Sequence, residues 1–279
     1  MNGLESRRPL NRGLLWVVLV SVVVFYAFPF LYLLLTSFKT PLETLAVPPT
    51  LVPSHWTIDN YIAAWSTRGV PASFINSLTT ACLSTVLSLA IGIPAAYSVT
   101  RFGTRFGQVF IMMALVVRMV PPVAIGIPLA STINALHLLD TPIGLAIAHT
   151  TISLPLSIWL MSSFFEAVPV ELDEAAKVDG CSRLGALWRI SVPVAKGGVA
   201  VTALFAFLAS WNEFLFALLM TSVRAQTTPL AIANLQTQFG LDWGSMTALA
   251  CMYSLPVIAL TLVLQRHVVA GLTLGAVKG

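Results

Sequence analysis

The chain has 279 residues, of which 57% are hydrophobic and only 9% are charged, whereas an average soluble domain has about 25% charged residues. This composition excludes an ordinary soluble fold and indicates an all-α protein that crosses a membrane several times. The net charge of +4 does not indicate a nucleic-acid-binding protein, because the basic residues lie at the ends of apolar runs and not in a patch interleaved with aromatic residues.

Six apolar runs are long enough to cross a hydrocarbon core of about 30 Å. The first run is too long for the core of a signal peptide and lacks a small-residue cleavage pattern, so we expect it to remain as a span. The predicted spans are 13–37, 74–99, 108–131, 141–165, 197–220 and 246–267. Residues 38–74 are rich in proline and contain Trp56, Tyr61 and Trp65, which suits either a docking surface or anchoring at the membrane interface.

Lysine and arginine are divided unequally between the two sets of alternating loops, with eleven on one side and three on the other. Cytoplasmic loops carry the excess of basic residues. We therefore expect both termini and residues 166–196 to face the cytoplasm, while residues 38–74 and 221–245 face outward.

Residues 166–196 form a charged segment between apolar runs, and their pattern predicts a helix, a sharp turn and a second helix. Pro169 suits the first turn of a helix. Three acidic residues then stand where the helix dipole favours negative charge: Glu171, Asp173 and Glu174. Gly180 can close this helix in a left-handed conformation, and Ser182 can cap the next one.

One stripe of the predicted first helix is small and mostly apolar, which allows a partner protein to approach closely: Leu172, Ala175, Ala176 and Asp179. Glu174-Ala175-Ala176, Asp179-Gly180 and the later Ile190-Ser191-Val192-Pro193 resemble the signature loop with which ABC importer membrane subunits grip their ATPase partners. Val192 stands where that family usually has leucine. The resemblance implies ATPase-coupling roles for Glu171, Glu174, Ala175, Ala176, Asp179, Gly180, Ile190 and Pro193. The alternative is an amphipathic connector without a partner.

Two charged residues, Arg118 and Glu213, lie within predicted spans, where charge is costly and usually functional. They are interpreted either as the polar lining of a solute pathway, in which a mutual ion pair is plausible, or as a structural pair. Trp211, Asn212 and Glu213 place an aromatic face beside hydrogen-bonding groups, which suits sugars, although Trp211 could also be an interface anchor. We assign these four residues to a candidate substrate pathway, and Pro121-Pro122, close to Arg118, is a candidate gate.

The segment Trp211-Asn212-Glu213-Phe214 and the glycine-rich C-terminal tail look like those of carbohydrate-importing ABC permeases of the maltose-permease G type. This resemblance implies one transmembrane domain over residues 1–279, in a bacterial inner membrane, that imports a disaccharide such as trehalose or maltose. It also implies a second homologous membrane subunit, two ATPase subunits and an external sugar-binding protein as partners. The tail residues Val277 and Lys278 would reach the ATPase dimer.

The chain has no phosphate-binding loop of the P-loop type and no intramembrane catalytic arrangement, so we expect it not to be an enzyme. We expect no cofactor on this chain, and the resemblance places ATP and Mg²⁺ in the partner ATPases. The scattered cysteines and histidines indicate no metal site. Two alternatives stay open: an ABC permease for a non-sugar solute, and a secondary transporter that uses Arg118 and Glu213 without ATP.

Overall fold

A computed structural model describes residues 12–102, 105–237 and 240–276. A two-stranded antiparallel sheet, in which Gln236 lies opposite Leu241, accompanies a predominantly helical chain. The elements are α1 (Arg12–Ser37), α2 (Pro41–Thr44), α3 (Asp59–Ser66), α4 (Val70–Phe102), α5 (Arg105–Val117), α6 (Pro122–Ala135), α7 (Pro142–Glu166), α8 (Val170–Val178), α9 (Arg183–Ala186), a π-helical turn (Leu187–Ser191), α10 (Val192–Val194), α11 (Lys196–Trp211), α12 (Leu215–Met220), α13 (Thr228–Ala233), β1 (Gln236–Thr237), β2 (Gly240–Leu241) and α14 (Trp243–Ala276).

Within the described residues, four continuous helices are long and apolar enough to cross a membrane: Gly13–Ser37, Val70–Phe102, Pro142–Glu166 and Trp243–Gln265. Two further helix pairs meet the same criterion together but are bent, one by 92° and one by 84°. They are Val109–Val117 with Pro122–Ala135, and Arg183–Val194 with Lys196–Trp211. Counting each bent pair as one span gives six spans, and the predicted all-α, multi-span class is confirmed.

The third predicted span, 108–131, is not one straight helix. Helix α5 ends at Val117 and α6 begins at Pro122. Proline has no N–H group to donate, and it disfavours a helical backbone in the residue before it, so two consecutive prolines break the helix. Arg118 therefore lies in this break, within the predicted third span but between its two helices.

The fifth predicted span, 197–220, is also interrupted. Helix α11 ends at Trp211 and α12 begins at Leu215. The Glu213 carboxylate accepts hydrogen bonds from the Phe216 N–H at 2.9 and 3.0 Å and from the Ala217 N–H at 3.3 Å. These bonds satisfy donors at the start of a new helix, which explains why an apolar run of this length does not continue as one helix.

The chain divides into two compact units. The first contains the chain up to Ser66 together with Leu235–Met252. In this unit the Asn60 side-chain amide donates to the carbonyl oxygens of Ser37 at 2.9 Å and Lys39 at 2.7 Å. Asn60 and Lys39 are both buried, so this junction fixes the exit of the chain from α1.

The second unit contains Thr67–Asn234 and the chain from Tyr253 onward. Its centre is formed by α4, α7 and α11, each of which packs against the other two. Hydroxyl side chains let α4 and α7 approach closely, since the Ser153 hydroxyl lies 2.6 Å from that of Ser88 and 3.2 Å from that of Ser84. Small residues that hydrogen-bond between helices are typical of helix packing in membranes. That residues 1–279 act as one transmembrane domain stays a prediction.

Candidate functional site

The charged segment 166–196 contains a sharp turn at Gly180. The Cys181 N–H donates to the Ala176 carbonyl at 2.9 Å, and the Gly180 N–H donates to the Lys177 carbonyl at 3.0 Å, which together form a Schellman motif at the end of α8. Gly180 has a φ of +84°, the left-handed conformation predicted for it. The Ser182 hydroxyl accepts from the Gly185 N–H at 3.1 Å and caps α9, as expected, whereas Pro169 precedes the first residue of α8 instead of lying in its first turn.

Helix α8 is held to the C-terminal end of α4 by a buried ion pair. Arg101 Nε lies 2.6 Å from Asp173 Oδ2, and their side chains are 8% and 2% exposed. The Ser191 hydroxyl donates to Asp173 Oδ1 at 2.6 Å, and Arg101 Nη2 donates to the Val168 carbonyl at 3.0 Å. Both Asp173 oxygens are therefore occupied, as a buried carboxylate requires. The sequence interpretation treated Asp173 only as a first-turn acidic residue and missed this role.

The face of α8 opposite Asp173 is open. The side chains of Glu171, Glu174, Ala175 and Asp179 are exposed, whereas Ala176 is buried beside Asp173. Ala176 therefore does not lie on the open face with Ala175, and the ATPase-coupling roles of these residues stay predictions. Of the remaining predicted coupling residues, Pro193 is exposed and Ile190 is partly buried.

Apolar side chains lie exposed in the same segment. Val178 is 88% exposed and Leu184 is 65% exposed, one on each side of the turn at Gly180. Burying such side chains typically contributes about 1.5–3 kcal/mol each. The segment thus combines a rigid attachment through Asp173 with an apolar and acidic surface that can contact another molecule.

Glu213 contacts a buried histidine, and the proposed Arg118–Glu213 pair is not formed. Glu213 Oε2 lies 3.1 Å from His149 Nε2, although the ring has no well-aligned hydrogen bond at that nitrogen. His149 Nδ1 lies 2.7 Å from the Ser210 hydroxyl. His149 and Glu213 are 64 residues apart in the chain, and no local pattern in the sequence connects them.

Trp211 does not line an open pathway. Its side chain is 2% exposed, and its ring stacks on Tyr253 at 4.5 Å between centroids and on Phe207 at 5.3 Å. The Tyr253 hydroxyl also donates to the Trp211 carbonyl. The sugar-stacking role expected of Trp211 does not fit this arrangement, because the ring is already enclosed by aromatic neighbours. Asn212 and Arg118, in contrast, are exposed.

Asp140 organises a loop that sequence analysis did not single out. Its carboxylate accepts from the N–H groups of Ser222, Val223, Arg224 and Ala225 at 3.0–3.2 Å. Burial alone would raise the pKa of Asp140, but hydrogen bonds from the backbone of Ala225, Ser222 and Arg224 outweigh burial and hold this pKa well below its usual range. The loop is therefore fixed by a charged carboxylate.

The predicted tail residues Val277 and Lys278 lie outside the described residues, so their contacts stay a prediction. Within residues 12–102, 105–237 and 240–276, no group of three or more His, Cys, Asp or Glu side chains is arranged to hold a metal ion.

Residues 88–273 match the family described as "Binding-protein-dependent transport system inner membrane component". The "Probable ABC transporter permease protein y4oR" of Sinorhizobium fredii is 39% identical over 269 residues, which cover 96% of each chain. The "Trehalose transport system permease protein SugB" of Mycobacterium tuberculosis is 37% identical over 273 residues, which cover 96% of this chain and 99% of that protein. The fold is similar to a chain in the crystal structure of a bacterial ABC transporter "involved in the import of the acidic polysaccharide alginate", with a TM-score of 0.75, 21% identity, and coverage of 93% of this chain and 99% of that one.

Proposed function

Since the chain belongs to the family of inner membrane components of binding-protein-dependent transport systems, we propose that it is the membrane-spanning permease subunit of a bacterial carbohydrate ABC importer. It forms half of the translocation pathway, and a second homologous membrane subunit forms the other half. Two ATPase subunits bind ATP and Mg²⁺ and hydrolyse the ATP, and an external sugar-binding protein delivers the solute. The chain is a multi-pass inner membrane protein, and both termini and the segment 166–196 face the cytoplasm.

The open face of α8 is the observation that carries this proposal. Glu171, Glu174 and Ala175 are exposed on it, and Val178 extends the surface with an apolar side chain. A short helix with such a face suits insertion into a cleft of a partner protein. The buried Arg101–Asp173 pair supports force transmission, because a helix that is pushed by a partner must be firmly attached to the spans that it moves.

The mechanism is alternating access. Closure of the ATPase dimer displaces α8, and α4 follows through Arg101, so that the pathway opens toward the docked binding protein. Coupling requires that α8 contacts the ATPase differently in the inward-facing and outward-facing states. Binding of equal strength in both states would not shift the equilibrium between them. The break at Arg118–Pro121 supplies a joint at which the pathway can rearrange.

The solute is a disaccharide, for which trehalose and maltose are the first candidates. This choice rests on the trehalose transport system to which the Mycobacterium tuberculosis relative belongs and on the resemblance of the segment Trp211–Phe214 to carbohydrate importers. A secondary transporter has less support, because it would use an Arg118–Glu213 pair. That pair is not formed, and Glu213 contacts His149 instead.

The docking role is tested by co-expressing the chain with its ATPase and second membrane subunit and purifying the complex in detergent. We expect Glu174→Lys to reduce the amount of co-purified ATPase at least tenfold while the permease stays inserted in the membrane. Glu166→Lys is the matched control, because Glu166 is also an exposed glutamate of this segment but lies outside α8. Equal recovery of the ATPase with both variants would contradict the docking role of α8.

A further inference from the structure

A cavity of about 220 Å³ lies at the break between α5 and α6. Arg118 is its single charged lining residue among the described residues, and Thr151 is the other polar one; apolar side chains such as Ile125 and Phe216 form the rest of the wall. Pockets that enclose a whole ligand usually measure about 300–1,000 Å³. This cavity is smaller, so it would receive one substituent of a solute and not the entire solute.

The charge of Arg118 is not neutralised within the described part of the chain. No carboxylate there forms an ion pair with it. The one acidic residue expected beside it, Glu213, contacts His149 and accepts from the N–H groups of Phe216 and Ala217. Glu213 is therefore committed to capping α12, and the five N–H donors of the Arg118 guanidinium have no carboxylate partner among the described residues.

Arg118 lies deep along its span. It follows the first residue of α5 by thirteen positions, or about 20 Å of helix, against about 30 Å for the hydrocarbon core. An unpaired charge at such a depth is costly and normally faces a water-filled cavity or a counter-charge. The side chain is exposed and borders the cavity, so the counter-charge has room to approach.

The first turn of α6 reinforces the positive character of the same cavity. Pro122 and Ile125 belong to that turn and line the wall. Helix α6 has no acidic residue in its first turn and no side-chain hydrogen bond at its N-cap, so the partial positive charge of the helix end is not compensated locally. Both electropositive groups thus border one small, otherwise apolar space.

We infer that the imported carbohydrate carries an anionic group, namely a carboxylate, sulfonate or phosphate, and that this group enters the cavity and binds Arg118 during passage. This inference rests on the proposed function, but it replaces the neutral first candidates, trehalose and maltose, with an acidic derivative of such a disaccharide. Arginine binds such groups with two parallel hydrogen bonds, which adds geometric selectivity to the attraction of charge. Arg118 is accordingly a specificity-determining residue of the pathway.

The test uses the complete transporter reconstituted in vesicles with its binding protein. Uptake is measured for trehalose and maltose and for the same disaccharides with one carboxylate, sulfonate or phosphate at a primary alcohol position. We expect an acidic sugar to be imported, and Arg118→Gln to reduce its uptake at least tenfold. Arg118→Lys should retain part of the uptake, because lysine keeps the charge but not the planar fork. Arg224→Gln is the matched control, since Arg224 is an exposed arginine that does not line the cavity.

Three results would overturn the inference while leaving a sugar importer in place. These are uptake of neutral sugars only, uptake of an acidic sugar that Arg118→Gln does not change, and separation of the two membrane subunits by Arg118→Gln. The last result would identify a carboxylate of the second subunit as the counter-charge. If neither neutral nor acidic sugars stimulate ATP hydrolysis with the loaded binding protein, the proposed function itself fails and the inference fails with it.

Discussion

Replacing Asp173 with asparagine should release α8 from the C-terminal end of α4. The amide keeps the size of the side chain but removes the charge that balances the Arg101 guanidinium, which is only 8% exposed. In the native chain Arg101 and Ser191 both donate to Asp173. The amide replaces one of the two accepting oxygens by an NH2 group, which is a donor. The variant therefore leaves the buried Arg101 guanidinium without a counter-charge and removes an acceptor from one of these two hydrogen bonds.

The size of the effect follows from this burial. Removing one partner of a buried ion pair typically costs about 3–5 kcal/mol. If that cost falls on the attachment of α8, local opening of the helix becomes roughly 100- to 4,000-fold more frequent, at about 1.4 kcal/mol for each factor of ten. Ser191→Ala removes only the hydrogen bond to Asp173 and should cost about 1.5–3 kcal/mol, which is an intermediate effect.

Hydrogen–deuterium exchange of the complete transporter in nanodiscs measures this opening directly. The amides of α8 should exchange faster in Asp173→Asn, less so in Ser191→Ala, and at the native rate in the control Glu166→Gln, whose side chain is exposed and lies outside α8. Native exchange rates in Asp173→Asn would refute the argument that the buried pair holds α8. Stimulated ATP hydrolysis without sugar uptake is the functional result expected of a detached helix.

Three further variants test the turn, the loop and the helix break. Gly180→Ala should cost about 1–2 kcal/mol, because a left-handed backbone crowds a Cβ atom, and should reduce sugar uptake per ATP hydrolysed. Asp140→Asn should lower the unfolding temperature at pH 7 through a loss of about 1–3 kcal/mol of hydrogen bonding. Glu213→Gln should destabilise α12 by about 1.5–3 kcal/mol, because N–H groups in the first turn of α12 donate to the charged Glu213 carboxylate. A thermal unfolding scan measures this loss of stability.

The Gly180 and Asp140 variants each have an internal control. Gly197→Ala should be neutral, because a Cβ atom at Gly197 meets no other atom within 4 Å and its backbone is helical; equal uptake in the Gly180 and Gly197 variants would speak against the turn. The stabilisation from Asp140 depends on pH because its pKa is lowered in the folded chain. It is fully present above about pH 4, the ordinary pKa of aspartate, and declines as the pH falls toward the lowered value. The difference between wild type and Asp140→Asn should therefore shrink at pH 3, and a constant difference would contradict this role.

Local chemistry made parts of the fold predictable from sequence. Gly180 and Ser182 were assigned to a helix stop and a helix cap because each acts on neighbouring residues only, and both assignments are confirmed by φ and by hydrogen bonding. The apolar runs predicted the multi-span class because the length and hydropathy of a run are also properties of consecutive residues. The break at 118–121 was signalled by Pro121-Pro122, which the sequence interpretation treated as a candidate gate within the predicted span 108–131.

Partners distant in sequence were not predictable in the same way. Hydropathy assigns a residue to a span but not to a neighbour, so the sequence suggested Arg118 as the partner of Glu213 and overlooked His149. The burial of Trp211 depends on Tyr253 and Phe207, and Tyr253 lies on a helix 42 residues away. The capping role of Glu213 was also missed, because an acidic residue inside an apolar run looks like a pathway group until the helix is seen to end beside it.

Helix α4 runs unbroken from Val70 to Phe102. It has an ion pair near its C-terminal end and side-chain hydrogen bonds to a loop near its N-terminal end. Arg101 binds Asp173 of α8, while the Asn76 side chain donates to the carbonyl oxygens of Arg224 at 2.8 Å and Gln226 at 3.0 Å. Arg101 follows Asn76 by 25 positions, which corresponds to a rod of about 38 Å. Pivoting this lever by about 5° at Arg101 displaces Asn76 by roughly 3 Å, which exceeds the tolerance of a hydrogen bond. A displacement of α8 that is too small to break the contacts of α8 therefore becomes a larger displacement at the far end of α4. There it either moves residues 224–226 together with α4 or breaks their hydrogen bonds to Asn76.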